Sequence, residues 1–479
     1  MGQLRFLVPR PEQIDPDAVG RAYMAGIDDI PWRTKVTWDG KELSVERGDN
    51  DSGYLYVPWR VAGQGQITLS TATLMERDTP YHLPVELARG TLNRLRNQQF
   101  GWEAVGLSPS ANVGPLLQTA IEHFGRAALG QNIDVWAAAD DAQAAIDAAF
   151  QAMGVLTDDY IEQSVSARRK GTAKLPTLIG AAVDNSLLEG FNVKEFSAAF
   201  DTACVPMVWR DIERQQGRFD WTQVDRQIAW CQAQEIRGCA GPLIQLSREA
   251  APDWIALWEG DFDHLLSFAT TFVHAAVHRY RGKVTLWNAA AGLNVAGVLD
   301  LSEEQQLRLA AYALEALRKN DPRGPIMLSI DQPWSEYMAR RELDLSPLHF
   351  ADALARADLG LAGLCLDLNF GFSPNATLPR DWLEVGRQLD RWTTLGLPLI
   401  VSPTLPEFRG EANHEAAQAE WVQRFLGLLL AKPAVQAIFW RVWQDEATPG
   451  DWENGGLVDV IGQPKKAVKI CSQIRRTYL

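Results

Sequence analysis

From Leu175 onward this chain predicts an α/β fold, a (β/α)8 TIM barrel, and three observations carry the prediction. Short apolar runs alternate with amphipathic stretches whose apolar residues recur every three to four positions. The alternation can be drawn eight times. The segment also has the length of at least about 250 residues that such a barrel takes.

The elements before the barrel follow from a change of period. Residues 1–83 hold short β-branched and aromatic runs, such as Leu4-Phe6-Val8 on alternate positions and Tyr54-Leu55-Tyr56-Val57. Turn residues such as Asp39-Gly40 and Gly63-Gln64-Gly65 separate them. That pattern predicts a small β-sandwich-like domain. Trp32, Trp38, Tyr54, Tyr56 and Trp59 either fill its core or form a platform for stacking a sugar. Residues 84–172 switch to helical spacing and are rich in alanine. Helices are expected over 84–100, 113–129, 140–153 and 158–169, as hairpins beside the barrel or as a surface for homo-oligomer assembly. Arg168-Arg169-Lys170-Gly171 reads as a solvated linker.

The barrel domain is placed at 173–479. Its strands are expected at 177–183, at 196–200 continuing to 207, and at 236–244, 284–290, 326–330, 363–368, 397–402 and 435–440. Helices are expected between them at 221–235, 264–280, 303–319, 347–358, 382–394 and 412–431.

Composition narrows the function. A net charge of −14 disfavours nucleic acid, which needs a basic face, and anionic membrane surfaces. No run approaches the ~20 apolar residues of a membrane span, and no signal-peptide pattern opens the chain. A cytoplasmic protein is therefore expected. The five cysteines, Cys204, Cys231, Cys239, Cys365 and Cys471, form no Cys-x-x-Cys pair and imply neither a disulfide framework nor a zinc site. His274 and His278 lack the glutamate of a His-Glu-x-x-His motif, and nucleotide-binding loops are missing from the sequence. No metal or other cofactor is implied.

Several stretches of the barrel domain resemble glycoside hydrolase family 10, the endo-β-1,4-xylanase family. They are Met207, Trp209, Glu213, Gly217 and Phe219, then Asp225, Trp230 and Arg237-Gly238, then Pro252-Asp253-Trp254. Arg279-Tyr280-Arg281-Gly282-Lys283-Val284 with Trp287, Asp321-Pro322 and Asp331 continue the series. Trp440, Trp443, Asp445, Gly455-Gly456-Leu457-Val458 and Gln463-Pro464-Lys465 close it. The resemblance spans roughly residues 175–479 and none of the first 170.

The resemblance implies a retaining mechanism with two glutamates about 5 Å apart. The acid/base would end the fourth barrel strand, where alignment places either Ala289 or Gly292. The nucleophile would end the seventh, where Pro403 stands. None of these side chains donates a proton or attacks a sugar. The family's supporting residues are replaced as well, by Val205, Val208, Cys239, Leu243 and Ile244. The expectation is a divergent family-10-like barrel that binds an oligo- or polysaccharide without xylanase activity, a pseudoenzyme.

Ligand-binding residues are expected at or just beyond the strand ends, where barrel function concentrates. They are Asp184, Asn185, Arg210, Gln245, Asn288, Asn294, Gln332, Trp334, Asn369, Trp440, Arg441, Trp443 and Gln444. A relocated acid pair drawn from Asp331, Asp367 and Asp445 is the alternative, making a hydrolase for another glycan. A third reading makes the barrel a rigid body in an assembly built through the helical segment.

Overall fold

The structure is a computed structural model, and it describes residues 2–48, 50–406, 414–445 and 454–479. Seven strands come first: β1 (Gly2–Leu7), β2 (Tyr23–Ala25), β3 (Thr34–Trp38), β4 (Glu42–Arg47), β5 (Tyr54–Val61), β6 (Gly65–Ser70) and β7 (Tyr81–His82). They form a four-stranded sheet of order β3-β4-β1-β7 and a three-stranded sheet of order β2-β5-β6. Inward positions alternate along them, as in Leu4 and Phe6 of β1 and Leu43 and Val45 of β4, all buried.

Three helices follow: α1 (Leu83–Ala104), α2 (Val113–Gly130) and α3 (Val135–Arg168). The third and fourth expected helices are one continuous α3 of 34 residues, started by Asp134, whose side chain accepts from the backbone N–H groups of Trp136 and Ala137. Nothing stands within 4 Å of where a Cβ of Gly154 would be, so no close packing requires a glycine there. Both sheets and all three helices share one apolar core, in which Phe6, Trp59, Leu87, Ile146 and Met153 are buried together. Of the five N-terminal aromatics, Tyr56 and Trp59 are buried, while Trp32, Trp38 and Tyr54 pack on the edges of cores.

The barrel is closed. Its elements are β8 (Leu178–Ala182), α4 (Asn185–Leu188), α5 (Val193–Ala199), β9 (Thr202–Val205), α6 (Trp209–Ile212), α7 (Thr222–Ala233), β10 (Arg237–Ala240), β11 (Ile244–Gln245), α8 (Phe262–Tyr280), β12 (Leu286–Ala291), α9 (Glu303–Asn320) and β13 (Ile326–Asp331). Then come α10 (Pro347–Arg356), β14 (Gly363–Leu368), α11 (Trp382–Trp392), β15 (Leu399–Pro403), α12 (His414–Ala431), β16 (Val435–Trp440) and α13 (Lys466–Tyr478). The order β10-β9-β8-β16-β15-β14-β13-β12-β11, with β10 also paired to β12, closes eight parallel positions, the third of them split between β10 and β11.

The expected strand at 196–200 is a correction. Phe196 and Phe200 stack edge to face one helical turn apart, and 193–199 is α5. The strand begins only at Thr202. The expected start of the last long helix, at 412, lies outside the described residues.

The first sheets do not stand apart from the barrel. Arg21 donates to the carbonyls of Ser373 and Ala376 beyond β14, and Arg340 beyond β13 donates to those of Gly20, Ala22 and Thr34. Beneath these contacts Arg380 is buried between Tyr23 and Glu336, bonding the phenol at 2.6 Å and the carboxylate at 3.1 Å.

Candidate functional site

At the carboxyl ends of the barrel strands lies a cavity of about 240 Å³. Two layers of inward side chains line it. The lower layer is Cys204, Cys239, Met327, Cys365 and Phe439, part of one buried cluster inside the barrel. The upper layer is Asn288, Ser329, Asp367, Ser402 and Arg441 on the side from β12 to β16, and the apolar Ala182, Pro206, Met207 and Leu243 complete the rim on the side from β8 to β11. The layers are two residues apart on each shared strand, as Met327 to Ser329, Cys365 to Asp367 and Phe439 to Arg441, because side chains on one face of a strand recur every second position. Gly241, with φ +125°, lets the turn after β10 press against β12: a Cβ there would stand 2.3 Å from the Asn288 carbonyl oxygen.

Electrostatics centre on Asp367. Arg441 Nη1 lies 3.1 Å from its Oδ2, and the Ser402 hydroxyl also bonds the carboxylate. Burial pushes its pKa up to about 6; Arg441 opposes the rise and Asp331 adds to it. Burial raises Asp331 too, against the pull of Arg441. The two acids are in register on neighbouring strands, Asp331 opposite Asp367 and Asp367 opposite Ser402. They therefore stand side by side on one wall, and Asp331 Oδ1 accepts the Gln332 backbone N–H at 2.9 Å. Asn288 is only 6% exposed. Its Nδ2 donates to Ser329 Oγ at 2.9 Å and its Oδ1 has no partner.

Of the residues expected to bind ligand, Gln245, Asn288, Trp440 and Arg441 line the cavity, as does the acid candidate Asp367. The others do different work. Asp184 caps α4 by accepting from Leu187 N and Ser186 Oγ, and Asn185 accepts from Gln223. Arg210 pairs with Asp253 at 2.8 Å. Asn294 clamps the end of β13, trading two hydrogen bonds with the Asp331 backbone. Gln332, Trp334 and Asn369 are buried in the loops after β13 and β14, each with one polar atom unpartnered. Trp443 packs edge-on against Phe196 and Phe200, behind the cavity. Gln444 bridges to Val458. Asp445 is held by Lys465 at 2.7 Å and the Gly456 N–H at 2.7 Å, and it does not line the cavity.

The positions singled out for catalytic glutamates also find places. Ala289 is fully buried in the apolar layer between β12 and the helices, and Gly292 turns the chain beyond β12 at φ +65°. Pro403 follows the inward Ser402 and is not among the cavity's lining residues. Sequence reasoning missed Cys204, Ser329, Cys365 and Ser402, and had Cys239 only as a replaced supporting residue. Their signal was period-two spacing back from the strand ends. Among the described residues no His/Cys/Asp/Glu cluster is arranged to hold a metal. A larger groove of about 870 Å³ lies between α3, α12 and α13, on helix flanks remote from the strand ends.

The model of the glycosyl hydrolase family 10 matches residues 166–291. No curated protein matches the chain. Xylanase 10B from Thermotoga maritima is similar in structure, with 16% identity over 64% of this chain and 98% of that one, at a TM-score of 0.51. Xylanase 10B from Thermotoga petrophila RKU-1, solved with xylobiose, is 15% identical over 66% and 96%, at 0.51. A GH10 structure from Paenibacillus barcinonensis is 14% identical over 66% and 97%, at 0.50. The barrel of this chain therefore has the fold of the family 10 xylanases, joined to N-terminal sheets and helices of its own.

Proposed function

We propose that this protein is a family-10-like barrel that binds carbohydrate at its mouth without cleaving it as a xylanase does. One observation carries the reading: among the described residues, Asp367 is the only carboxylate lining the cavity, and it is held by Arg441 and Ser402. Glycoside hydrolysis takes two carboxyl groups flanking the scissile bond, about 5–5.5 Å apart for retention or ~6.5–9.5 Å for inversion. Here the second nearby acid, Asp331, stands beside the first rather than across from it. Across the barrel from them, β8 and β9 present Ala182 and Cys204. The upper layer suits a sugar all the same. Asn288, Ser329, Asp367, Ser402 and Arg441 supply donors and acceptors for hydroxyls, with Gln245 also lining the cavity.

The raised pKa values of Asp331 and Asp367 favour a second reading, hydrolysis by a relocated pair. One experiment separates the two. The purified protein is assayed for reducing-end release on a panel of β-1,4-linked glycans, with binding measured on the same panel. Binding without turnover supports the non-cleaving reading. Turnover that disappears in both Asp331→Asn and Asp367→Asn replaces it with the relocated pair.

A further inference from the structure

We infer that the cavity below the mouth takes the apolar end of an aryl or alkyl glycoside rather than another sugar unit, an inference that rests on the non-cleaving reading above. The chemistry of the lining changes with depth on the side from β12 to β16. There the upper layer is polar, facing an apolar rim of Ala182, Pro206, Met207 and Leu243, and two residues lower, about 6.6 Å along the strands, the floor is thiol, thioether and phenyl. Cysteine and methionine sulfurs are weak hydrogen-bond partners, so a hydroxyl pressed among them would lose its water and gain little in return. A sugar ring carries hydroxyls on every edge and fits that floor badly. A phenyl or short alkyl group has nothing to lose there and gains contact with soft, polarizable sulfur.

The floor is reachable. Cys204 and Cys239 are in-register neighbours on β9 and β10 with their thiols in contact, and Cys204 is only partly buried, its side chain lining the cavity. Size points the same way. At about 240 Å³, shared between the two layers, the cavity is below the roughly 300–1,000 Å³ of pockets for drug-sized ligands, so it suits a short ligand and not a chain of sugar units. At the boundary between the layers, Asn288 keeps one amide atom unpartnered in a position 94% buried. Flipping the amide changes which atom is left over, not that one is left over. A ligand spanning both layers places a hydroxyl or ether oxygen there.

The test compares D-xylose, methyl β-D-xyloside, phenyl β-D-xyloside and xylotriose by calorimetry on the full chain. Phenyl xyloside is expected to bind about tenfold more tightly than methyl xyloside, and xylotriose no more tightly than xylose. Cys204→Leu, which fills the floor, brings the phenyl-to-methyl ratio close to one. If that variant does not fold, the four-ligand series on the unaltered protein still decides. Equal affinity for the phenyl and methyl xylosides, or tightest binding of xylotriose, overturns this inference and leaves the non-cleaving reading in place. Release of phenol overturns the non-cleaving reading itself. If none of the four binds, both fall.

Discussion

Arg441 Nη1 stands 3.1 Å from Asp367 Oδ2, joining the ends of two barrel strands that are not neighbours, β16 and β14. Arg441→Met removes the cation that opposes Asp367's burial, so the Asp367 pKa climbs above its present value of about 6. Loss of the charged donor weakens sugar binding by about tenfold or more. NMR titration of the Asp367 carboxyl and calorimetry read the two effects separately. An unchanged pKa would show that the pair is not coupled.

The same carboxyl shapes stability against pH. Its folded pKa, about 6, lies above the unfolded value near 3.9, so the folded state holds this proton more tightly. Between about pH 4 and 6 this group therefore lowers stability as pH rises, by a ceiling of roughly 3 kcal/mol that is fully reached above pH 6. Asp367→Asn removes that slope. Urea denaturation of both proteins at pH 4.5 and pH 7 checks it; equal pH dependence would contradict the assignment.

Arg380 and Glu336 have side chains only 1% exposed, and Glu384 lies 3.6 Å from the same guanidinium. Burial alone would raise Glu384, but Arg387 and Arg380 outweigh it and hold its pKa at about 2. Arg380→Met removes the ion-pair partner of the buried Glu336, at an expected cost of roughly 3–5 kcal/mol. Chemical denaturation measures the loss.

Gly90 lies where α1 presses on the end of β6. A Cβ there would stand 2.2 Å from the Ser70 carbonyl oxygen. Gly90→Ala is expected to cost about 1–3 kcal/mol by forcing helix and sheet apart. A variant as stable as the parent would mean that the sheets and α1 do not share the packed core described above.

Pro403→Glu alone is expected to give no release of reducing ends from xylan. The side chain at 403 follows an inward Ser402 and so belongs to the other face of β15, and no acid faces it from β12. Measurable xylanase activity in this variant would overturn the account of the site.

How far the sequence could be read depended on which period dominated locally. The runs at 363–368 and 435–440 coincide with β14 and β16, because a parallel strand covered on both faces is apolar at nearly every position, here all but Asp367 and Gln436. Residues 196–200 misled because two phenylalanines four apart serve a helix face as well as a strand. The site was legible only at its rim. Asp367 and Arg441 were identified from their places at or just past strand ends. Cys204, Cys365 and Ser329 lie deeper, where a small residue in an apolar run looks like ordinary core. Only the closed geometry of the barrel shows that they border a space.

Helix α3 ties the two packed regions together. Ala142 to Leu156 sit in the core shared with the N-terminal sheets, and Val165 sits in the core around the barrel. No hinge residue separates them, and a helix turns about 100° with each residue. The two regions are thus locked in rotational phase by a count of residues. A one-residue insertion between Leu156 and Val165 would aim one of the two apolar faces into water, while the same insertion in a surface turn such as the one at Gly63 would be absorbed. In this stretch the length of the chain is as tightly constrained as its chemistry.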